Sequence, residues 1–410
     1  MVDPYRFRVI KIENQRLNIF HRNKTLKQEK ALSGTLVVSL EQAVAAPYCS
    51  RLLQEAGARI IKIERPEGDF AREYDTAVDG ESTYFVWLNS GKESIVLDLR
   101  KEEERGLLRD LIKKADIFLQ NLKTGAAERL GFGYKEVKEL NPGIIMCSIS
   151  GYGSEGEYAK MKAYDALIQA ESGLCSVTGP AGNPSKVGAS ICDISTGLTA
   201  YGEILKALLN RNLNGTGEHI ECSLFGVLSE WMSVPLLFYE YGGKLLSGTG
   251  MDHPQIAPYG TYQTADGPIF IVIQNPREWL QFCEKGIGLP ELAEDPRFST
   301  NVNRVRNRDE LKTCFEKIFS NMTRAEVSRK LLDAGIACGS INSVADLADH
   351  PALQRRSIEV NGKTFSTLRR TGDFSEKTLK VPGKNEHGDA IREEFKLLPE
   401  NPGFESSNPS

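Results

Sequence analysis

Residues 35–64 read "TLVVSLEQAVAAPYCSRLLQEAGARIIKIE", and this stretch decides the fold. "TLVVSL" is a short run of apolar and β-branched residues, the composition of a strand buried on both faces. "APYCSRLLQEAG" spaces its apolar residues at helical intervals and stops at Gly57, the residue type that most easily ends a helix. "RIIKIE" then reads as a second strand. A strand, a helix and a strand joined by short connections form a β-α-β unit.

The unit recurs downstream. "SIVLDL" is followed by the helical pattern "EEERGLLRDLIKKA" and by the strand "DIFLQN", and "NPGIIMCSISGYG" supplies a further strand after a Pro-Gly break. Strands alternating with helices predict an α/β fold built on a mostly parallel sheet. "ISTGLTAYGEILKALLNR" predicts a helix that ends near "NLNGTG", "EHIECSL" a strand, and "FGVLSEWMSVPLLFYEYGG" a long, largely buried helix leading out of the sheet. From about Lys244 the texture turns loop-rich. "GPIFIVIQN" reads as a strand, with helices near Arg277–Gly286, Arg308–Ser320 and Thr323–Ala334, the last opened by Thr323 and Glu326 at capping-box spacing.

The expected organisation is a large domain over 34–225, a smaller inserted α/β domain over 226–335, and a return to the large domain over 336–395. Residues 1–33 form an arm or a leader, and the polar, Pro-rich residues 396–410 a flexible tail.

Composition removes several classes of function. A chain of 410 residues with 40% apolar and 26% charged residues has the makeup of a globular protein large enough for two domains. Its net charge of −4 gives no overall attraction to nucleic acid or to anionic lipid, and no apolar run reaches the length of a membrane span. Eight scattered cysteines with no C-x-x-C pair, and five unclustered histidines, argue against a zinc site or a disulfide framework. Reduced thiols fit the cytoplasm or an organelle matrix. "QAVAAP" follows the first strand where a dinucleotide-binding chain would carry G-x-G-x-x-G, and neither a P-loop nor H-E-x-x-H occurs.

Within "SKVGASICDISTGLTAYG" (185–202), Val187–Cys192 suits a buried strand and helix-like sequence begins directly after it. Asp193 stands at that junction. A carboxylate there is either the N-cap of the helix or a nucleophile at the carboxyl end of a strand, where open α/β sheets place their ligands. An aspartate of ordinary pKa, about 3.9, is ionised at neutral pH and can attack a thioester carbonyl. Backbone N–H groups at the helix start would then stabilise the oxyanion. Basic and polar residues also collect at expected strand ends: Arg65, Arg100 and Asn121, with Arg129 and Lys162 in the loops beyond. Converging on one sheet edge, they would suit phosphate groups.

The blocks "VSLEQAVAAPYCSRLLQEAGARIIKIERPEGD", "YFVWLNSGKESIVLDLR", "NLKTGAAERLGFGY", "SISGYGSEG", "KAYDALIQAESG" and "GASICDISTG", in this order, resemble the class III CoA-transferases. These are the formyl-CoA and carnitine CoA-transferase-like proteins, related to 2-methylacyl-CoA racemase. The resemblance runs from about residue 34 to about 390. It implies a Rossmann-like large domain with a parallel sheet plus a smaller inserted domain, two chains interlocked as a homodimer, and CoA lying between the large domain of one and the small domain of the other. It places the nucleophile on Asp193, forming an aspartyl mixed anhydride, and CoA contacts on Val44, Ala45, Arg65, Leu97, Arg100, Asn121, Arg129 and Lys162. The family's glycine-rich lid corresponds loosely to "SGTGMDHP" (247–254), which has fewer consecutive glycines.

Coenzyme A is expected as a substrate, with no permanently bound cofactor and no metal. Succinyl-CoA is the expected donor, and a C4–C5 dicarboxylate such as itaconate or mesaconate the acceptor. Tyr164, Asp165, His253, Tyr259 and Arg277 are the candidate contacts to the acid. The alternatives are a 2-methylacyl-CoA racemase and a non-catalytic CoA-binding protein. The racemases use a His–Asp pair as one base; here the matching residues are Tyr164 and Asp165, and a tyrosine is a poor base at neutral pH.

Overall fold

The computed structural model describes residues 30–373 and 375–395. Nearly all of the expected N-terminal arm or leader, and the whole expected tail, lie outside them. Six strands form one parallel sheet: β1 (Leu36–Leu40), β2 (Arg59–Glu64), β3 (Glu93–Val96), β4 (Ile117–Gln120), β5 (Ile145–Ser150) and β6 (His219–Ser223). Their order is β3-β2-β1-β4-β5-β6, the doubly wound arrangement. The order reverses between β1 and β4, so the loops that follow these two strands part and leave a crevice at the carboxyl edge. Both sheet faces are covered. One core contains Val37, Ile60, Ile117 and Ile145, and the other contains Val38, Ile61, Phe118 and Met146.

Three helices position the crevice. Helix α1 (Ala45–Glu55) follows β1, α2 (Asp165–Glu171) follows the long loop after β5, and α3 (Ile191–Asn214) runs back toward β6. Helix α3 buries Cys192, Ser195, Thr196, Gly197, Ala200, Ile204, Ala207 and Leu208, mostly small residues that let α1 come close. A Cβ on Gly197 would lie 2.5 Å from the Ala45 carbonyl oxygen and 3.1 Å from Tyr48 Cβ. The glycine is therefore there for close helix packing, which is also why it contributes nothing to the crevice.

Several expectations change. The expected strand Val187–Cys192 does not form: Val187–Ser190 is an irregular approach to α3, and Ile191 and Cys192 open that helix. The Val187 N–H donates at 2.8 Å to Gln169 Oε1 of α2, taking a side chain where a strand would take a neighbour. The stretch 225–243 is two helices, Leu224–Trp231 and Ser233–Gly242, broken at Met232, and the second has no buried residue. Its apolar composition reads as core from sequence; in the chain it faces outward.

The smaller α/β unit has its own three-stranded antiparallel sheet, β7 (Tyr259–Thr264), β8 (Gly267–Val272) and β9 (Ala337–Ser340). Trp279, Phe282 and Phe315 centre a separate core. Thr323 and Glu326 form the expected capping box. Strand β9, expected within the return to the large domain, instead completes this sheet by pairing with β8. After β9 the chain comes back to pack beside the parallel sheet. Ile358, Val360 and Val381 pack on Phe85 and Val86, and Ile391 of the helix Gly388–Phe395 enters the core beside the parallel sheet.

Candidate active site

The crevice is a cleft of about 740 Å³ at the carboxyl edge of the sheet. Its walls come from the β1–α1 loop (Gln42–Ala45), the turn carrying Phe70 and Tyr74, Tyr84, the β4 loop (Asn121–Thr124), the approach to α2 (Met161–Ala166), and Lys186–Asp193. Of the expected site residues, Val44, Ala45, Asn121, Lys162, Tyr164, Asp165 and Asp193 line it. Sheet topology brings them together, since each belongs to a loop or helix start at the same edge.

Asp193 sits inside the first turn of α3 rather than at its boundary. The cap is another residue. Asp165 Oδ1 accepts the backbone N–H groups of Cys192 at 2.8 Å and Asp193 at 3.2 Å, while its Oδ2 accepts from Gln169 Nε2 at 2.7 Å. Ser190, the residue before the helix, faces elsewhere: its Oγ lies 3.1 Å from the Tyr84 hydroxyl. The question of cap or nucleophile is thus divided between two carboxylates. Asp165 satisfies the helix start, and no hydrogen bond to the Asp193 carboxylate is present among the described residues. Desolvation, reinforced by the nearby charge of Asp165, pushes the Asp193 carboxyl up to about 7. This corrects the expectation of an ordinary, fully ionised aspartate.

The expected oxyanion donors at the start of α3 are also corrected, because Asp165 already occupies the Cys192 and Asp193 amides. Helix α1 offers a different set. Val44 precedes it without a side-chain cap, Pro47 in its first turn has no N–H, and the Val44 and Ala45 amides have no acceptor among the described residues. A helix start with free N–H groups is a ready anion site.

The loop that presents these amides is under strain and is held. Ala43 has φ +61, a left-handed conformation that costs a non-glycine residue about 1–2 kcal/mol. Asp69 Oδ1 accepts the Ala43 N–H at 3.1 Å and also the Ala71 N–H at 3.0 Å, capping the turn that carries Phe70 and Tyr74. Asp69 Oδ2 pairs at 2.8 Å with the fully buried Lys62, whose ammonium is also 3.5 Å from Glu41. Burial alone would push Glu41 up, but Lys92 at 2.7 Å and Lys62 overcome it and hold the carboxyl at about 2. Burial in turn brings Lys92 down to about 8 despite Glu41. Asn121 clamps the same loop, donating to the Gln42 carbonyl at 2.8 Å and accepting the Gln42 N–H at 3.0 Å.

Other expected residues lie elsewhere. Arg65 is adjacent to the cleft, its guanidinium 5.8 Å from the Phe70 ring and its Nε donating to Gly68 O at 2.9 Å. Arg100 is exposed and engaged by Asp98 at 2.7 Å, Arg129 is exposed after the β4 loop, and Leu97 is a core residue at 1% exposure. His253, Tyr259 and Arg277 belong to the smaller unit and do not line the cleft of their own chain; the His253 ring packs 5.0 Å from Tyr259. The stretch 247–254 is tied down by Gly248 N–H to Ser176 O at 3.1 Å and Gly250 N–H to Gly179 O at 2.8 Å. Residues that sequence reading passed over are Gln42, Asp69, Tyr74, Tyr84, Gln169 and Lys186. Asp69 and Tyr84 stand inside blocks that carry the resemblance, but nothing in their local pattern marks them.

Among the described residues no cluster of His, Cys, Asp and Glu could hold a metal ion, and no helix is long and apolar enough to cross a membrane.

The model of CoA-transferase family III matches residues 32–382. The chain is 35% identical over 377 residues to the acetyl-CoA:oxalate CoA-transferase of Acetobacter aceti, covering 90% of this chain and 97% of that protein. It is 36% identical over 348 residues to the succinyl-CoA:glutarate CoA-transferase of Mus musculus, covering 83% and 79%. A crystal structure of a CAIB/BAIF family protein from Brucella suis superposes with a TM-score of 0.76 at 36% identity, covering 90% of this chain and all of that one.

Proposed function

The chain belongs to CoA-transferase family III and transfers CoA between carboxylic acids, and on that premise we propose that Asp193 carries the acyl group as a mixed anhydride. The carrying observation is the division of labour at α3: Asp165 caps the helix, which leaves the Asp193 carboxylate unengaged in the cleft. An Asp193 oxygen attacks the thioester carbonyl, the C–S bond breaks, and CoA leaves as thiolate. The thiolate then attacks the aspartyl carbonyl of the anhydride, releasing the first acid and leaving an aspartyl-CoA thioester. The incoming carboxylate attacks that thioester, a second anhydride forms, and returning CoA thiolate takes the new acyl group and frees Asp193.

The Val44 and Ala45 amides, Asn121 and Lys162 form the CoA side of the site. The donor is succinyl-CoA and the acceptor a C4–C5 dicarboxylate such as itaconate or mesaconate. Relatives named for oxalate and for succinyl-CoA and glutarate support a dicarboxylate. CoA enters as substrate, with no resident cofactor or metal. The working unit is a homodimer in the cytoplasm or the mitochondrial matrix. Racemisation is disfavoured because both Asp165 oxygens are committed to the Cys192, Asp193 and Gln169 donors, so Asp165 is no free base.

The test is to incubate the protein with succinyl-CoA, treat it with hydroxylamine, and map the modified peptide by mass. A hydroxamate on Asp193 supports the mechanism. An unmodified Asp193, in an enzyme that turns over, overturns it.

A further inference from the structure

A short dicarboxylate that reacts at Asp193 through one carboxylate brings a second anionic group into the same cleft. Burying that group without a cation would be costly. Among the residues lining the cleft, the cationic side chains are Lys123, Lys162 and Lys186. None of the three has an ion-pair partner among the described residues, so each can still take a ligand carboxylate or phosphate.

Their placements differ. Lys162, on the approach to α2, is assigned above to CoA, and Lys123 lies two residues beyond Asn121, also assigned to CoA, on the β4 loop. Lys186 instead lies on the segment that leads directly into α3. That segment is fixed by Gln169, which is fully buried. Gln169 Oε1 accepts the Val187 N–H at 2.8 Å, and its Nε2 donates at 2.7 Å to Asp165 Oδ2. Asp165 in turn accepts the Asp193 N–H at 3.2 Å. One short chain of hydrogen bonds therefore ties the residue after Lys186 to the backbone of the reacting carboxylate. Gly188 and Ala189, which line the cleft between Lys186 and Asp193, present almost no side chain to fill the space.

We propose that Lys186 binds the distal carboxylate of the dicarboxylate substrate and so sets the preference for diacids over monoacids. The phosphates of CoA are the competing anions. They lie a whole pantetheine arm away from the thioester, whereas the residue after Lys186 is tied through Gln169 and Asp165 to the helix start that carries Asp193. The proposal rests on Asp193 being the reacting carboxylate.

The test measures kcat/KM for glutarate and for pentanoate, acids of equal length, with succinyl-CoA as donor in both arms so that the donor half-reaction is common. Hydroxylamine trapping at Asp193 is run in parallel on wild type, Lys186→Ala and Lys186→Arg. Loss of a charged hydrogen bond should lower the glutarate-to-pentanoate preference by roughly ten- to a hundredfold in Lys186→Ala, and Lys186→Arg should restore much of it. An unchanged preference in Lys186→Ala overturns the proposal. So does an equal fall for both acids, which would place Lys186 on CoA. If wild type turns over without trapping at Asp193, the mechanism above fails first, and that result is distinct from both.

Discussion

Asp165 accepts the backbone N–H of Asp193 at 3.2 Å, so one carboxylate caps the start of the helix that carries the other, the proposed nucleophile. The pair predicts an asymmetric response to amide substitution. Asp165→Asn keeps an acceptor oxygen for the helix amides, and asparagine caps about as well as aspartate, while its amide nitrogen gives up the bond from Gln169 Nε2. It should fold and still be trapped by hydroxylamine at Asp193. Asp193→Asn cannot form the anhydride and should lose turnover by orders of magnitude while still binding CoA. Trapping and turnover assays on both variants check this. A dead Asp165→Asn beside an active Asp193→Asn would move the chemistry to the other carboxylate.

The same pair sets a pH dependence. Burial first, and Asp165 second, raise the Asp193 carboxyl from 3.8 to about 7. Only the ionised form is nucleophilic, so kcat/KM for the acyl-CoA should climb with pH and level off above about 7. Asp165→Asn removes the smaller cause, and its limb should move toward lower pH without reaching 3.8. For stability the sign is the opposite of a salt-bridged aspartate. The folded state binds this proton more tightly than the unfolded state, so the contribution is most favourable below about pH 4. It is lost as pH rises toward 7. Asp193→Asn should therefore be more stable than wild type at about pH 8 and nearly equal to it at about pH 4. The gain at the higher pH is roughly 1–4 kcal/mol, since each tenfold difference in proton affinity between the folded and unfolded states is worth about 1.4 kcal/mol. Thermal denaturation at the two pH values reads the difference.

Asp69 holds two walls of the cleft through one oxygen and Lys62 through the other. Asp69→Ala frees the Ala43 and Ala71 amides and leaves a buried ammonium with Glu41 at 3.5 Å as its remaining carboxylate. Breaking a buried ion pair from one side costs about 3–5 kcal/mol. Asp69→Asn retains an acceptor for the amides and should lose less stability. The accompanying functional signature is a raised KM for acyl-CoA, because the Val44 and Ala45 amides are presented by the strained loop that Asp69 fixes. Denaturant titration and KM measured on both variants test the two effects separately.

The parallel sheet was legible because its strands are β-branched runs separated by helices of ordinary length, as in 35–64. Parallel strands then bring their following loops to one edge, which is why Asn121 and Lys162 could be placed at a common edge from sequence, although Arg65, Arg100 and Arg129, grouped with them, do not line the cleft. Failures came where a long-range partner replaced a local one. Val187–Ser190 has strand composition, but Gln169 takes the Val187 N–H. The cap of α3 comes from Asp165, 28 residues upstream of Asp193, and no local pattern announces it. Lys62 stands within the expected strand "RIIKIE", and its partners Glu41 and Asp69 meet it only in the fold. The placement of Ser233–Gly242 was misread because apolar composition marks burial without saying what does the burying.

That helix supports the last prediction. Val234, Leu237 and Tyr241 are 61%, 54% and 83% exposed, and Leu245 just beyond is 80% exposed. An apolar surface of this kind on one chain marks an interaction site. A second copy of the chain is the occupant we propose, as an interlocked homodimer in which monomer and fold cannot be separated. Sedimentation over a dilution series should then show dimer at every concentration at which the protein stays folded. Leu237→Glu combined with Tyr241→Glu would force charges into that interface, so the double variant should be unfolded or aggregated rather than a working monomer. A folded, active monomer, in wild type or in the double variant, would refute the interlocked assembly.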